Sequence, residues 1–375
     1  MTETKLTVLQ VLPALQSGGV ERGTLEVNEH LVKHGHRSMV MSAGGRMVKD
    51  LTDAGGEHHC WQIGKKSLLS LRLIPKLRRF LMQNQVDILH VRSRFPAWIC
   101  YLAWKTLPVA TRPKLITTVH GPYSINAYSA IMTKAEHVIV ISKMIQQYVC
   151  NHYHINPDKL MLNYRGIDSK QLPYGYQPTA HWLDTWYQDF PQTLGKRLLL
   201  LPARITRWKG QLDFIEMLAR VRQYYPDVHG LIVGETKKGK TAYLKELMDK
   251  ADKLGVSDCL SFTGHRSDIR EVMAISTIVY SLSLEPEAFG RTTLEALSLG
   301  KPVMAYAHGG VDEQLSAILP EGRIKPGDID QAAALSCQWL ALAPQVPSSH
   351  PFSLETMLNN TLKLYQMAVK PRSAI

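Results

Sequence analysis

Two glutamates, Glu287 and Glu295, stand eight residues apart around a Phe289-Gly290 step in the stretch from Glu285 to Val303. Residues 277–281 before them read as a strand, and a helix is expected to start near Thr292. Glu287 then falls in the loop and Glu295 in the first helical turn, so both carboxylates can point to one side. Gly290 allows close backbone approach, and the N–H groups of residues 290–293 form an anion site at a helix start. Acids beside a phosphate cradle suit the binding of hydroxyls, one carboxylate on a ribose diol and the other on a sugar ring. The competing account is that Glu295 only complements the helix dipole and that Glu287 is solvated. Two cations, Arg204 and Lys209, follow another expected strand at 197–202 and can make charge-assisted bonds to phosphate oxygens. Their bland alternative is a solvated loop.

Other residues carry chemistry less specifically. Gly18 and Gly19 stand between a strand and a helix, where backbone amides meet a phosphate or an acceptor. An ordinary strand-to-helix turn gives the same pattern. His120 ends a strand and precedes Gly121, so it can bond a sugar hydroxyl or charge developing near an anomeric carbon. A lone histidine is otherwise structural. Residues 234–241 fit the phosphate-loop pattern of nucleoside triphosphatases, with Gly234, Gly239, Lys240 and Thr241 after a strand and before a helical stretch. Against a triphosphatase, the pattern lies deep in the second half. No later strand ends in an aspartate that could hold magnesium, since 277–281 ends in Tyr280-Ser281. Lys240→Ala would abolish nucleotide turnover only in a triphosphatase. Asp328 and Asp330 have the spacing of a metal motif, but they follow Pro326-Gly327 and open a helix, so capping is expected. No catalytic metal and no cofactor are expected.

These residues sit in a chain of 375, of which 45% are hydrophobic and 20% charged. At ~100–200 residues per domain, two domains are expected, each able to bury a core. The longest apolar runs, 198–202 and 138–141, fall far short of the ~20 residues that span a bilayer. The first residues do not read as a secretory signal. Five scattered cysteines suggest neither a zinc site nor a disulfide framework, and suit a reducing cytoplasm. Charge is uneven: residues 1–170 hold 22 Lys and Arg against 11 Asp and Glu, nearly all of the chain's net +12. Such a field favours nucleic acid, an anionic membrane or a phosphorylated substrate. The interleaving of aromatic and basic residues typical of nucleic-acid modules is not evident, so no nucleic-acid partner is expected. Residues 65–81 place Lys65, Lys66, Arg72, Lys76, Arg78 and Arg79 among seven leucines and isoleucines and a phenylalanine. That suits a membrane surface, or an ordinary helix with a basic outer face, here interrupted by Pro75.

The elements that must position these groups alternate between short strands and helices, as parallel α/β layers do. Strands are expected at 6–12, 36–42, 86–91, 115–119, 138–142, 197–202, 229–233, 260–262, 277–281 and 302–305, with helices at 20–33, 67–84 and between the later strands. Residues 163–195 show little periodicity and read as a linker plus an irregular insertion. The architecture is two doubly wound domains facing a cleft, with ligands at the carboxyl ends of the strands.

Taken together, the motifs resemble the retaining nucleotide-sugar glycosyltransferases of the GT-B fold, group 1 or family 4. The resemblance runs through Gln16-Ser17-Gly18-Gly19-Val20-Glu21-Arg22, similar to that family's first glycine-rich loop. Val86 to His90 and Val119-His120-Gly121 resemble its second and fourth strand ends. Arg204 to Gly210 resembles its Arg-x4-Lys-Gly loop. Glu287 to Val303 with Gly309-Gly310 resembles its donor motif, and residues 354–367 its terminal helix. The resemblance implies an α/β GT-B architecture with an acceptor-binding domain at 1–170, a nucleotide-sugar domain at 171–352 and a helix at 353–375 crossing back to the first domain. It implies His120, Glu287, Arg204 and Lys209 as catalytic residues. It implies donor binding by Gly18, Gly19, Gly234, Glu287, Ala288, Phe289, Gly290, Arg291, Thr292 and Glu295, and acceptor binding by Glu21, Arg22 and Arg94. A metal-free transfer that keeps anomeric configuration through front-face attack follows, with domain closure excluding water. The partners implied are a nucleotide diphosphate sugar and a phosphorylated or lipid-linked glycan of bacterial lipopolysaccharide or another surface polysaccharide, at the inner face of the cytoplasmic membrane. An inactive basic binding module is the remaining alternative. Two positions depart from the pattern: Arg165 replaces the usual Asn before Gly166-Ile167-Asp168, and Ala203 replaces the usual Gly before Arg204.

Overall fold

The computed structural model describes residues 5–16, 18–236 and 241–369. By contacts the chain divides into a first unit, residues 1–166 with 354–375, and a second, residues 167–353. In the first, runs such as Leu9 to Val11 and Ile88 to Val91, apolar but for Gln10 and His90, are buried on both faces, as strands between two helical layers must be. Its strands are β1 (Thr7–Val11), β2 (Arg37–Ser42), β3 (Glu57–Cys60), β4 (Ile88–Val91), β5 (Lys114–Val119), β6 (His137–Val140) and β7 (Leu160–Leu162). They pair in the order β3-β2-β1-β4-β5-β6-β7, all parallel. Helices α1 (Gly19–Lys33), α2 (Val48–Asp53), α3 (Leu73–Gln83), α4 (Arg94–Lys105) and α5 (Lys143–His152) make the crossovers.

The second unit holds α6 (Ala180–Asp189), β8 (Arg197–Pro202), α7 (Gln211–Arg222), β9 (Val228–Val233), α8 (Thr241–Lys253), β10 (Leu260–Gly264) and α9 (Ile269–Ile275). It continues with β11 (Ile278–Ser281), α10 (Arg291–Ser298), β12 (Val303–Tyr306), α11 (Gly309–Ile318), β13 (Arg323–Ile324) and α12 (Ile329–Ala341). Its sheet runs β10-β9-β8-β11-β12-β13, again parallel throughout. Each sheet therefore reverses its winding once, at β1/β4 and at β8/β11, which is where doubly wound sheets open a crevice at their carboxyl ends.

The last helix, α13 (Leu354–Val369), belongs to the first unit. Its Met357, Leu358, Leu362, Leu364, Tyr365 and Ala368 share a core with Leu6, Val8, Val27, Leu31, Ile88, Ile116 and Ile139. Burying each large apolar side chain is worth about 1.5–3 kcal/mol. Polar contacts fix the register: the Tyr365 hydroxyl meets His90 Nδ1 at 2.6 Å, and Asn163 Nδ2 donates to Met357 O and Thr361 Oγ1, both at 3.0 Å.

Several sequence expectations need correction. The single helix over 67–84 is a 3-10 turn, Leu68–Arg72, followed by α3. Pro75 does not interrupt it, because it falls in the first turn of α3, where no intrahelical N–H is needed. The supposed insertion contains α6, capped by Thr179 Oγ1, which accepts from Trp182 N at 3.2 Å. Its buried side is an aromatic stack: Trp182 on Trp186 at 5.4 Å and Trp186 on Phe190 at 4.5 Å. His90 and Val119 lie on the fourth and fifth strands in chain order, not the second and fourth. The helix over residues 291–298 starts at Arg291, which puts Glu295 in its second turn rather than its first. Strands β3, β7 and β13 and helices α2 and α4 are additional. Asp328 does cap α12, accepting from Gln331 N at 2.9 Å, while Asp330 pairs with Arg220 at 2.8 Å. Gly239 and Lys240 of the phosphate-loop pattern lie outside the described residues; Thr241 opens α8.

Candidate active site

Three loops of the second unit converge at the carboxyl ends of β8, β9 and β11. After β8, Lys209 leads into Gly210, which has φ +73° and packs so tightly that an added Cβ would lie 1.9 Å from Leu282 O. Leu284 N donates to Trp208 O at 2.7 Å and locks the β8 and β11 loops together. After β9, a Cβ on Gly234 would lie 2.2 Å from Ala203 O, and Ile205 N donates to Glu235 O at 3.1 Å. These close backbone approaches, rather than side-chain packing, bring the charged groups together.

The result is a direct contact between two of the expected residues. Lys209 Nζ donates to Glu287 Oε1 at 2.7 Å, with only 14% and 18% of the two side chains exposed. Ser283 Oγ donates to the same oxygen at 2.6 Å. The Lys209 ammonium also lies 4.2 Å from the centre of the Trp208 ring. An ammonium has three donors, so one bond to Glu287 leaves it able to bind a phosphate oxygen as well. Gly290, with φ +85°, takes the N-cap position of α10, and a helix start leaves its first-turn amides without intrahelical partners. Glu295 contacts Arg291, whose Nε donates to it at 2.8 Å. Arg204 is exposed, and its guanidinium has no partner among the described residues.

Sequence reasoning missed what braces the Glu287 loop. His308 Nε2 bonds Ser283 O at 2.7 Å, Gly310 N donates to Glu287 O at 2.8 Å, and Gln314 Nε2 donates to Phe289 O at 2.6 Å. A Cβ on Gly309, at φ +67°, would lie 2.5 Å from Glu287 O, and one on Gly310 would lie 2.5 Å from Phe289 Cα. The signal was the Gly309-Gly310 pair: two adjacent glycines after a strand mark a close approach of another chain segment.

In the first unit, Gly18, Glu21, Arg22, Arg94 and His120 lie after β1, β4 and β5, along the carboxyl edge. Gly18, at φ +132°, precedes α1, and the Glu21 carboxylate folds back over it. Burial raises the Glu21 pKa. Arg22 Nε stands 3.7 Å from Glu26 Oε1. Arg94 holds the loop after β5, donating to Ser124 Oγ at 3.2 Å and Ser129 Oγ at 3.0 Å and lying 4.8 Å from the Tyr123 ring centre. His120 Nδ1 contacts Arg165 Nη2 at 2.9 Å. Beneath these, Arg92 is buried and donates twice to Gln10 Oε1, at 3.0 and 2.6 Å. Among the described residues, no cluster of three or more His, Cys, Asp or Glu could hold a metal ion, and no helix is long and apolar enough to cross a membrane.

Residues 17–171 match the profile of Glycosyltransferase Family 4, and residues 184–346 that of Glycosyl transferases group 1. The chain superposes on a crystal structure of a glycosyltransferase from Rickettsia africae with a TM-score of 0.86 and 29% identity, over 98% of this chain and 99% of that one. It superposes on Anabaena Alr3699/HepE, solved in complex with UDP and glucose, with a TM-score of 0.79 and 21% identity, over 96% and 99% of the two chains. It is 31% identical over 121 residues to a lipopolysaccharide 1,2-N-acetylglucosaminetransferase of Salmonella typhimurium, covering 31% of this chain and 32% of that protein. The chain spans less than two thirds of the length of the curated relatives it matches.

Proposed function

We propose that this chain, which belongs to the family 4 and group 1 glycosyltransferases, moves a sugar from a nucleotide diphosphate sugar to a hydroxyl of a phosphorylated or lipid-linked glycan, with retention at the anomeric carbon. The observation that carries the reading is the Lys209–Glu287–Ser283 constellation at the mouth of the α10 helix start. In the reaction the bond from the anomeric carbon to the diphosphate breaks and one to the acceptor oxygen forms. The departing diphosphate takes the acceptor's proton on the same face. Its growing negative charge is met by Lys209, held in place by Glu287, by the open amides of α10, and by Arg204, whose free guanidinium can swing onto the diphosphate. Glu287 is held rigidly enough to orient a donor hydroxyl, and Glu295 binds the ribose. A uridine diphosphate donor is the first choice, given what Anabaena HepE binds. The acceptor is a growing lipopolysaccharide or other surface glycan, given the Salmonella relative and the basic first 170 residues.

A panel of nucleotide sugars tests this. A true donor raises the melting temperature by mass action. With a glycan acceptor it yields free nucleoside diphosphate and an α-linked product from an α-linked donor, in the presence of EDTA as in its absence. A product of opposite configuration, or no release from any donor, defeats the reading.

The acceptor chemistry extends to a lipid surface. In residues 65–81 the structure separates two sets of leucines. Leu77 and Leu81 are buried beneath α3. Leu68, Leu69 and Leu71 are 85%, 65% and 49% exposed, beside exposed Lys65, Lys66, Arg72, Lys76 and Arg79. An ordinary crossover helix accounts for the first set and not for the second. Three solvent-facing leucines ringed by cations suit shallow insertion into anionic lipid. Leu68→Ser with Leu69→Ser is expected to weaken binding to phosphatidylglycerol vesicles by about two orders of magnitude, at ~1.5 kcal/mol per leucine, and to leave donor binding unchanged. Equal vesicle binding by both proteins would refute the docking surface.

A further inference from the structure

We infer that Arg165 is a positioning residue for His120: it holds the imidazole in the tautomer that turns an Nε2–H donor toward a bound ligand, and Gly23 clears the space its guanidinium occupies. What that donor serves rests on the glycosyl-transfer reading; the positioning itself does not.

Arg165 Nη2 lies 2.9 Å from His120 Nδ1. A guanidinium can only donate, so Nδ1 accepts and the ring proton of the neutral imidazole sits on Nε2. That Nε2 is buried and has no hydrogen-bond partner among the described residues. A buried donor without a partner is unfavourable, and here it sits just past the carboxyl end of β5, where an acceptor atom of a ligand would complete it.

Gly23 supplies an independent observation. It lies inside α1 and is buried, a place where alanine would be the better helix former. A Cβ there would come within 2.3 Å of Arg165 Nη1. The missing side chain is the room in which the guanidinium lies, and the same group approaches Met357 Sδ on α13 at 3.8 Å.

The groups facing His120 are Arg165, Arg92, His90 and Tyr123, whose hydroxyl accepts from the His120 backbone N–H at 3.3 Å. Arg92 is committed to Gln10, which leaves Arg165 as the cation that touches the ring. Burial first, then the charges of Arg165, Arg92 and His90, hold the His120 pKa well below the ordinary histidine value. His120 is therefore neutral at physiological pH, and loss of the Arg165 charge lets its pKa rise.

The test is the nitrogen spectrum of protein labelled with 15N-histidine, His120 being assigned by its loss in His120→Gln. The unaltered protein is expected to give the Nε2–H pattern, unchanged down to pH 6. Arg165→Met is expected to give mixed tautomers and a titration midpoint higher by about one pH unit. Arg165→Lys is expected to recover the Nε2–H pattern. Gly23→Ala keeps the arginine but pushes its flexible end aside. It is expected to match Arg165→Met in the spectrum while melting no lower than the unaltered protein. In turnover, both variants are expected to lose about tenfold in kcat with donor KM nearly constant, and to gain an acid limb in the pH profile. An unchanged His120 spectrum in Arg165→Met and Gly23→Ala overturns the inference, whatever the rates do. If the spectra shift but no nucleotide sugar is turned over by the unaltered protein, the positioning stands and the transfer reading falls.

Discussion

Lys209→Ala is expected to lower kcat/KM by about 10³-fold, most of it in kcat. Two effects add. The ammonium is the most enclosed cation of the β8 loop, so its removal takes away a fixed charge from the leaving diphosphate. Loss of a single preorganised donor of this kind costs about 10²–10³ in rate. The second effect acts through Glu287. With Lys209 gone, that carboxylate stays largely enclosed and keeps only the Ser283 bond, at a cost of about 1–3 kcal/mol to the loop geometry. Lys209→Arg restores charge but not shape and should recover only part of the rate. A double-mutant cycle with Glu287→Gln is expected to show coupling of about 1–3 kcal/mol, because the two side chains touch. A Lys209→Ala enzyme within tenfold of normal kcat/KM would mean that the cation does not face the reacting diphosphate. The melting temperature should fall by only a few degrees, since the ion pair sits at a loop and not in the core.

The difference between what was legible in the sequence and what was not follows from how each feature is encoded. Both doubly wound sheets were visible because their central strands, β1, β8 and β9 among them, are short runs dominated by apolar residues despite Gln10 in β1 and His229 in β9, the pattern of buried parallel strands. Strand β3 escaped notice because Glu57, His58 and His59 at a sheet edge carry no such run. Helix α6 was hidden because its repeat is written in Trp182, Trp186 and Phe190 rather than in leucines. At the site, Lys209 and Gly290 could be picked out because a charge beside Gly210 and a glycine at a helix start both follow strands, and Arg204 and Glu287 because they stand in the same two loops. Their braces could not. His308, Gly310 and Gln314 act on the backbone oxygens of Ser283, Glu287 and Phe289, and a carbonyl leaves no mark in a sequence. Arg165 and His120 are 45 residues apart, and only the parallel order of β5, β6 and β7 brings their loops side by side.

Gly210→Ala is expected to destabilise the second unit by about 3 kcal/mol and to lower its melting temperature by roughly 6–12 °C. The left-handed backbone at φ +73° alone costs an alanine about 1–2 kcal/mol. The larger part is steric. The new methyl would sit 1.9 Å from Leu282 O, 2.7 Å from its carbonyl carbon and 2.8 Å from its Cβ, so no flexible side-chain end can yield. The β8 and β11 loops must part, which strains the bond from Leu284 N to Trp208 O and carries Lys209 away from Glu287. Gly255→Ala provides the comparison. Gly255 has φ +67°, but a Cβ there meets nothing within 4 Å, so only the conformational cost of about 1–2 kcal/mol applies. Calorimetry on the two variants separates backbone strain from close approach. If Gly210→Ala melts no lower than Gly255→Ala and keeps its turnover, then the contact between the two loops does not hold the ion pair, and Lys209 reaches Glu287 by side-chain attraction alone.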